Sequence, residues 1–326
     1  MITGRNVTTP PTVHVICPIY NGRVFLPSFL DSLQAQTHAQ WVLWVRDDGS
    51  SDDSGAIVRS YADRDGRIRV LDHDGERRGA AQAFRWLWDR IPGAADYVMF
   101  ADQDDVWLPE KITRTLEAMR TAEAERDGAV LVHTDLVVVD AALREIAPSF
   151  WQFAGIDVHS TSLSRVVVRN MVTGNTAMIN RALRECTGSI SSDAVMHDWW
   201  VACVAAAFGR VVALPYASVL YRQHGANTIG ARRSAAHASW RELPAESLNA
   251  FARSAKVRAD IAIAARQAMA FVSAYGAALP ERDRIFLHEY ARMPSQGFLR
   301  RKWDVVRMQL LPGNGLLRNV GLLLRA

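Results

Sequence analysis

The sequence predicts an α/β fold built on a doubly wound, mostly parallel sheet, and two observations carry that prediction. Between residues 13 and 126, short apolar runs alternate with stretches of helical period, giving β-α-β-α-β-α-β-α with right-handed crossovers expected. Two of those runs end abruptly in carboxylates, at Asp47-Asp48 and at Asp102–Asp105. Ligands of an open α/β sheet bind beyond the carboxyl ends of its strands, which is where these acids would stand.

Residues 13–16 form the first expected strand, which ends near Pro18 because proline lacks the N–H that a ladder needs. Asn21 is placed to cap a helix whose apolar positions Phe25, Leu26, Phe29, Leu30 and Leu33 follow the 3.6 period. Residues 41–45 are a second strand, followed by a helix from about Asp52 to Ala62. Residues 68–71 are a third strand, Gly79 opens a helix through Phe84, Leu87 and Trp88, and residues 97–101 are a fourth strand. A helix from Pro109 to about Arg126 closes this half. Beyond Gly128 the rhythm changes. Residues 130–139 read as a strand containing Asp135, residues 166–179 are mixed around Gly174-Asn175-Thr176, and His197-Asp198 opens an apolar helix that stops at Gly209. Residues 211–214 and 218–221 read as two more strands. After about Ser234 the chain is rich in Ala and Arg and helical, which sets the expected boundary within Arg232 to Trp240: a domain over 1–232, with halves 12–126 and 127–232, then a helical region over 233–326.

At 326 residues the chain can bury a large core, and its net charge of +4 is too mild to imply a nucleic-acid partner. Cys17, Cys186 and Cys203 form no C-x-x-C pattern, which argues against a disulfide framework or zinc and for a reducing compartment. The first residues lack the layout of a signal peptide, and no run reaches the roughly 18 apolar residues of a membrane span. A cytoplasmic location, peripheral at the inner membrane face, is the expectation. No G-x-G-x-x-G follows the first strand and no G-x-x-x-x-G-K-[ST] is present, which argues against nicotinamide and P-loop chemistry.

Asp102, Asp104 and Asp105 put three carboxylates in four residues, an arrangement that repels itself unless a cation sits among them. The Asp-x-Asp spacing suits Mg²⁺ or Mn²⁺, which takes one or two protein carboxylates and leaves room for phosphate oxygens. A solvated acidic turn ahead of the Pro109 helix would have the same composition.

In order, the segments VHVICPIYN, WVLWVRDDGSSDDS, ADQDDVWLPEK, GNTAMINR, HDWW and YRQHGANT resemble the family 2 glycosyltransferases over about residues 12–230. The DQDDVW and YRQH versions are most similar to bacterial rhamnosyltransferases of O-antigen and other polysaccharides. The resemblance implies a GT-A fold, a Rossmann-like mixed sheet flanked by helices, with inverting chemistry, a Mn²⁺ or Mg²⁺ cofactor, a dTDP- or UDP-sugar donor and a glycan or lipid-linked acceptor. It implies that Pro18, Tyr20 and Asn21 line the base pocket and that Asp48 accepts from the pyrimidine ring. Asp102 and Gln103 would lie near the ribose or bound water, Asp104 and His224 at the metal, and Arg222 on the diphosphate. Asp198 would be the base, with Trp199, Gly174 and Asn175 towards the acceptor. Many members carry an Arg-Asn pair in the helix after the glycine near position 79; here the run is GAAQAFRW, leaving Arg78 or Arg85 to supply the charge. A nucleotidyltransferase or a non-catalytic binding subunit would also use the fold and the acids; the presence of Asp198 separates both from the glycosyltransferase reading.

From Phe298 onwards Arg300, Arg301, Lys302, Arg307, Arg318 and Arg325 face a single acid, Asp304, with Leu, Val and Trp between them. Such basic amphipathic helices suit an anionic membrane surface, or equally a face packed on the catalytic domain or on a second subunit of an oligomer.

Overall fold

A computed structural model of the protein describes residues 10–72, 75–225 and 250–308. The expected boundary at 232–240, Asn227 and Thr228 of the YRQHGANT segment, and Arg318 and Arg325 lie outside the described residues. Four parallel strands, β1 (Val13–Ile19), β2 (Trp41–Asp47), β3 (Ile68–Leu71) and β4 (Tyr97–Phe100), form one half of the sheet. Three helices link them: α1 (Leu26–Gln34), α2 (Ser54–Ala62) and α3 (Ala80–Trp88). Order in this half is β3-β2-β1-β4, so the direction of strand addition reverses between β1 and β4. That reversal opens a crevice at the carboxyl ends of β1 and β4, where Pro18–Asn21 and Ala101–Asp105 meet.

The second half makes the sheet mixed, as the resemblance implies. Short strand β5 (Val106–Trp107) precedes α4 (Lys111–Glu125); β6 (Val130–Val139), β7 (Glu145–Ala147), β8 (Ala177–Asn180) and β9 (Arg210–Arg222) then extend the sheet to β3-β2-β1-β4-β8-β6-β9-β5, with β7 on β6. β8 runs antiparallel to both β4 and β6, so the sheet is mixed. Because β8 is reversed, its first residues lie beside the end of β4, which brings Gly174–Thr176 to the same crevice. The two strands expected at 211–214 and 218–221 are one, β9. Its pairing with β6 passes from Thr134↔Leu214 to Asp135↔Ala217, so Pro215 and Tyr216 bulge out of register rather than end the strand.

Strand alternation sorts the core onto two faces. Val13, Val15, Cys17 and Ile19 of β1 face α1, α2 and α4, while Ile16, Val98 and Phe100 face α3 and the later helices. Those later helices are α6 (Leu163–Val168), α7 (Arg181–Thr187), α8 (His197–Phe208), α9 (Ala250–Tyr275), α10 (Glu281–Arg292) and α11 (Phe298–Arg307), whereas Phe150 of α5 (Phe150–Ala154) packs on the first face. α8 is apolar on every side because it is enclosed: Trp200 packs on Phe271 and Tyr275 of α9, with ring centroids at 5.5 and 5.9 Å. Ala264, Ala268 and Phe271 share that core, so helices beyond the expected boundary pack on the half that carries Asp198. No helix among the described residues is long and apolar enough to cross a membrane.

Two helix starts differ from expectation. Asn21 does not cap α1, whose N-cap is Phe25; it has φ 47° and its side-chain oxygen accepts the Ser51 N–H at 2.8 Å, tying the ends of β1 and β2 together. α2 begins at Ser54, and Asp52 accepts the Ser54 N–H at 3.0 Å.

Candidate active site

Asp198 occupies the first turn of α8, where a carboxylate meets the positive end of the helix dipole. Its Oδ1 accepts the Trp199 N–H at 2.6 Å and its Oδ2 the Gly174 N–H at 3.0 Å. Glycine favours this approach, since a Cβ at 174 would lie 3.0 Å from His197 Nε2 and 3.2 Å from Asp198 Cβ and would push either side chain by a few tenths of an ångström. Asp198 is 8 % exposed, and burial pushes its carboxyl up to about 6 against the pull of these N–H donors. His197 is buried and neutral, its pKa lowered to about 3 by burial, and stacks on Phe84 at 3.7 Å and edge-on to Phe100 at 4.5 Å. Phe84 therefore serves packing beneath the base.

On the donor side, burial and the charges of Asp104 and Asp198 push Asp102 up to about 8. His224 Nε2 lies 2.8 Å from Asp104 Oδ2, and the His224 ring rests on Phe25 at 4.6 Å. Two like-charged carboxylates and an imidazole are donors that fit Mn²⁺ or Mg²⁺, and the raised Asp102 marks negative charge that a cation would relieve. Among the described residues no three His, Cys, Asp or Glu side chains form a preassembled cage. A cation that uses one or two protein carboxylates and completes its shell with phosphate and water needs none.

At the base end of the crevice, Tyr20 closes β1, and the Arg77 guanidinium lies 3.9 Å over its ring. Asp48, 3 % exposed, pairs with the buried Arg46 and accepts the backbone N–H groups of Arg78 and Gly79. The Arg78 N–H is shared between Oδ1 at 2.9 Å and Oδ2 at 3.0 Å, and the Gly79 N–H lies 2.7 Å from Oδ2, so both oxygens of Asp48 are engaged by the protein. Arg78 turns its side chain to Glu76 at 3.1 Å, while Arg85 lies 3.3 Å from Gln82. The cation set on the Tyr20 ring is thus Arg77, which the motif comparison did not single out; two adjacent arginines before a glycine were the only signal available.

Four expected site residues have other employment. Gln103 holds the backbone of Tyr20 through its side-chain amide, accepting from N at 2.9 Å and donating to O at 2.8 Å, and a Cβ on Gly22 would strike it. Arg222 donates to Asp104 O, Ala141 O and Ser28 Oγ and lies 4.7 Å over Phe25, so its guanidinium staples three segments in place of a phosphate clamp. Asn175 is buried and donates to Asp105 instead of facing an acceptor. Trp199 is buried with its indole N–H on Val166 O at 2.6 Å, so it is core. Pro18 pairs within β1 opposite Arg46, beside Tyr20 at the crevice.

A mixed sheet with a crevice at its switch point, carboxylates there and a second acid at a helix start are the layout of a GT-A-type fold. Solved structures agree: the 1–349 fragment of S. aureus TarS in complex with UDP-GlcNAc superposes with a TM-score of 0.54 at 13 % identity, covering 96 % of this chain and 89 % of that one. The mannosyltransferase PcManGT from Pyrobaculum calidifontis, in complex with GDP-Man and Mn²⁺, gives 0.50 at 17 %, covering 97 % and 79 %. By sequence, the family described as Glycosyl transferase family 2 matches residues 14–187, more than half of the chain, and the protein belongs to that family. TuaG of Bacillus subtilis, whose name attributes to it a glycosyltransferase role in teichuronic acid biosynthesis, is 37 % identical over 109 residues, 33 % of this chain and 42 % of that protein. WfgD of Escherichia coli, a UDP-Glc:alpha-D-GlcNAc-diphosphoundecaprenol beta-1,3-glucosyltransferase, is 32 % identical over 107 residues, 33 % of this chain and 40 % of its own. These alignments span less than half of either relative.

Proposed function

We propose that this protein is a metal-dependent inverting glycosyltransferase that moves a sugar from a nucleoside diphosphate to a hydroxyl of a glycan or lipid-linked glycan in cell-surface polysaccharide synthesis. The observation that carries the reading is the buried, raised Asp198 carboxylate set across one crevice from Asp102 and Asp104. A base at about 6 is ionised at neutral pH yet strong enough to take a proton from an attacking hydroxyl. Asp198 is held by two N–H donors that fix its oxygens, so the hydroxyl would be deprotonated as it attacks the anomeric carbon opposite the departing diphosphate. Mn²⁺ or Mg²⁺, held by Asp104 with Asp102 and His224, would supply neutralisation of the charge on that diphosphate. Tyr20 would offer a stacking face to the base, with Pro18 and Asn21 at its rim and Asp48 accepting a ring N–H.

We assign dTDP-L-rhamnose as donor, on the DQDDVW and YRQH motifs. Calorimetry with dTDP and UDP, each with and without Mn²⁺, tests this. Micromolar binding that requires the metal and favours dTDP is expected. A UDP preference would replace the donor, and no binding of either nucleotide would move the reading to another donor or to a non-catalytic role.

The reading places the C-terminal helix at the inner membrane face. In α11 Trp303 is 60 % exposed beside Arg300 and Arg301, the side chain of Lys302 lying outside the described residues; Arg300 and Arg307 lie near the buried Asp304. The expected result is co-sedimentation with phosphatidylglycerol vesicles that weakens with salt and with Trp303→Ala. Equal partition to neutral phosphatidylcholine vesicles would refute it.

A further inference from the structure

Asp105 adjoins the donor-side carboxylates, yet its side chain points away into the protein and is fully buried. Its oxygens serve two distant segments. Oδ1 accepts the Arg222 backbone N–H at 2.9 Å, and Oδ2 accepts the side-chain amide of Asn175. Asn175 follows Gly174, whose N–H donates to Asp198, and precedes Thr176, whose hydroxyl donates to Thr173 O at 2.6 Å. Arg222 in turn donates to Asp104 O, and His224 reaches the Asp104 carboxylate. One carboxylate is therefore the joint between the donor-side loop at 102–105, the turn that holds the base, and the closing end of β9. Behind it lies the buried Lys111, whose Nζ is 3.2 Å from Ser218 Oγ and 4.7 Å from the Trp107 ring centroid; burial lowers its pKa to about 7, against the opposing pull of Asp105. A buried carboxyl group with two directional partners on distant segments is held in one place.

We propose that Asp105 is a positioning residue for glycosyl transfer: through Asn175 and Gly174 it fixes Asp198 relative to the donor-side carboxylates, without touching donor or metal. The proposal rests on the reading of Asp198 as the base. Its chemistry is specific to the pair. Asparagine at 105 keeps an oxygen for Arg222 but presents an amide N–H₂ to the N–H₂ of Asn175, donor against donor. Aspartate at 175 reverses the polarity and restores one bond.

Asp105→Asn, Asn175→Asp and the double variant test it, by amide hydrogen exchange across 173–176 and by dTDP release from dTDP-L-rhamnose in Mn²⁺ with water as acceptor. Asp105→Asn is expected to speed exchange at 173–176 and to lower kcat roughly 10- to 100-fold, since displacement of a catalytic group by about 1 Å costs on that order. Affinity for dTDP with Mn²⁺ should stay within about twofold, and the reversed pair should recover exchange protection and most of kcat. A merely structural role would lower Tm and leave kcat per folded molecule unchanged, which overturns the proposal. So would loss of metal-dependent dTDP affinity, which would make Asp105 a ligand, or a double variant no better than the single ones. Should Asp105→Asn not fold, Asn175→Ala cuts the same link from the other side and must show the same pattern. Asp198→Asn run in parallel separates the two readings: turnover in that variant removes the base assignment itself, whereas an inactive Asp198→Asn beside a wild-type Asp105→Asn removes the positioning role alone.

Discussion

Asp198→Asn is expected to lower the rate of transfer by about 10²- to 10⁴-fold, the range a positioned general base supplies, with nucleotide affinity unchanged. The asparagine is nearly isosteric and its oxygen can still accept from one of the two N–H groups that now hold the carboxylate. Stability should not be what fails. A carboxyl whose folded value is raised to about 6 opposes folding once it ionises, so its cost is absent at low pH and grows as pH rises from the ordinary value near 3.8 towards 6. Neutralising it removes that cost at pH 7. The wild-type rate should fall below about pH 6, tenfold per unit at the acid end, and a divalent cation nearby would move this limb to lower pH by favouring the ionised form. The variant lacks the limb. Turnover within threefold of wild type, or a wild-type acid limb in the variant, would show that another group removes the proton.

Much of this site was legible in the sequence because it depends on where strands end. Apolar runs that stop in acids at 47–48 and 102–105 put carboxylates at one edge of a parallel sheet, and the structure keeps both there. Asp198 is desolvated because the first turns of α8 are buried. What the sequence could not convey was where side chains point after the second half folds back. Asn175 and Asp105 are 70 positions apart, and Arg222 is 117 from Asp105, so no local period or spacing announces that they meet. Residue type misled in the same places: arginine, glutamine and asparagine in a loop suit ligand contact, yet Arg222, Gln103 and Asn175 spend their donors on backbone or buried carboxylate. Asn21 suits a cap by composition, but the tertiary contact with Ser51 takes its side chain first. The mixed sheet that the resemblance implies is present, but the antiparallel direction of β8 had no signal of its own in residues 166–179.

Asp104→Ala should act on binding where Asp198→Asn acts on turnover, and the sign differs with and without metal. In the wild type without metal, Asp104 repels a bare diphosphate, while burial first and the Asp104 and Asp198 charges second push Asp102 up to about 8. Removing Asp104 leaves one carboxylate fewer facing the phosphates, so dTDP alone should bind as well as before or slightly better. With Mn²⁺ the outcome reverses. The variant lacks the carboxylate that His224 now touches at 2.8 Å, and metal-dependent affinity should fall by roughly 100-fold, the upper end of what even an indirect metal contact is worth. That is about 2.7 kcal/mol of binding free energy. Calorimetric titration of dTDP into each protein, with and without Mn²⁺, reads both arms at once. The ratio of the two affinities is the informative quantity, because a general loss of folded protein lowers the number of sites and leaves that ratio alone. A ratio equal to that of the wild type would move the cation away from Asp104.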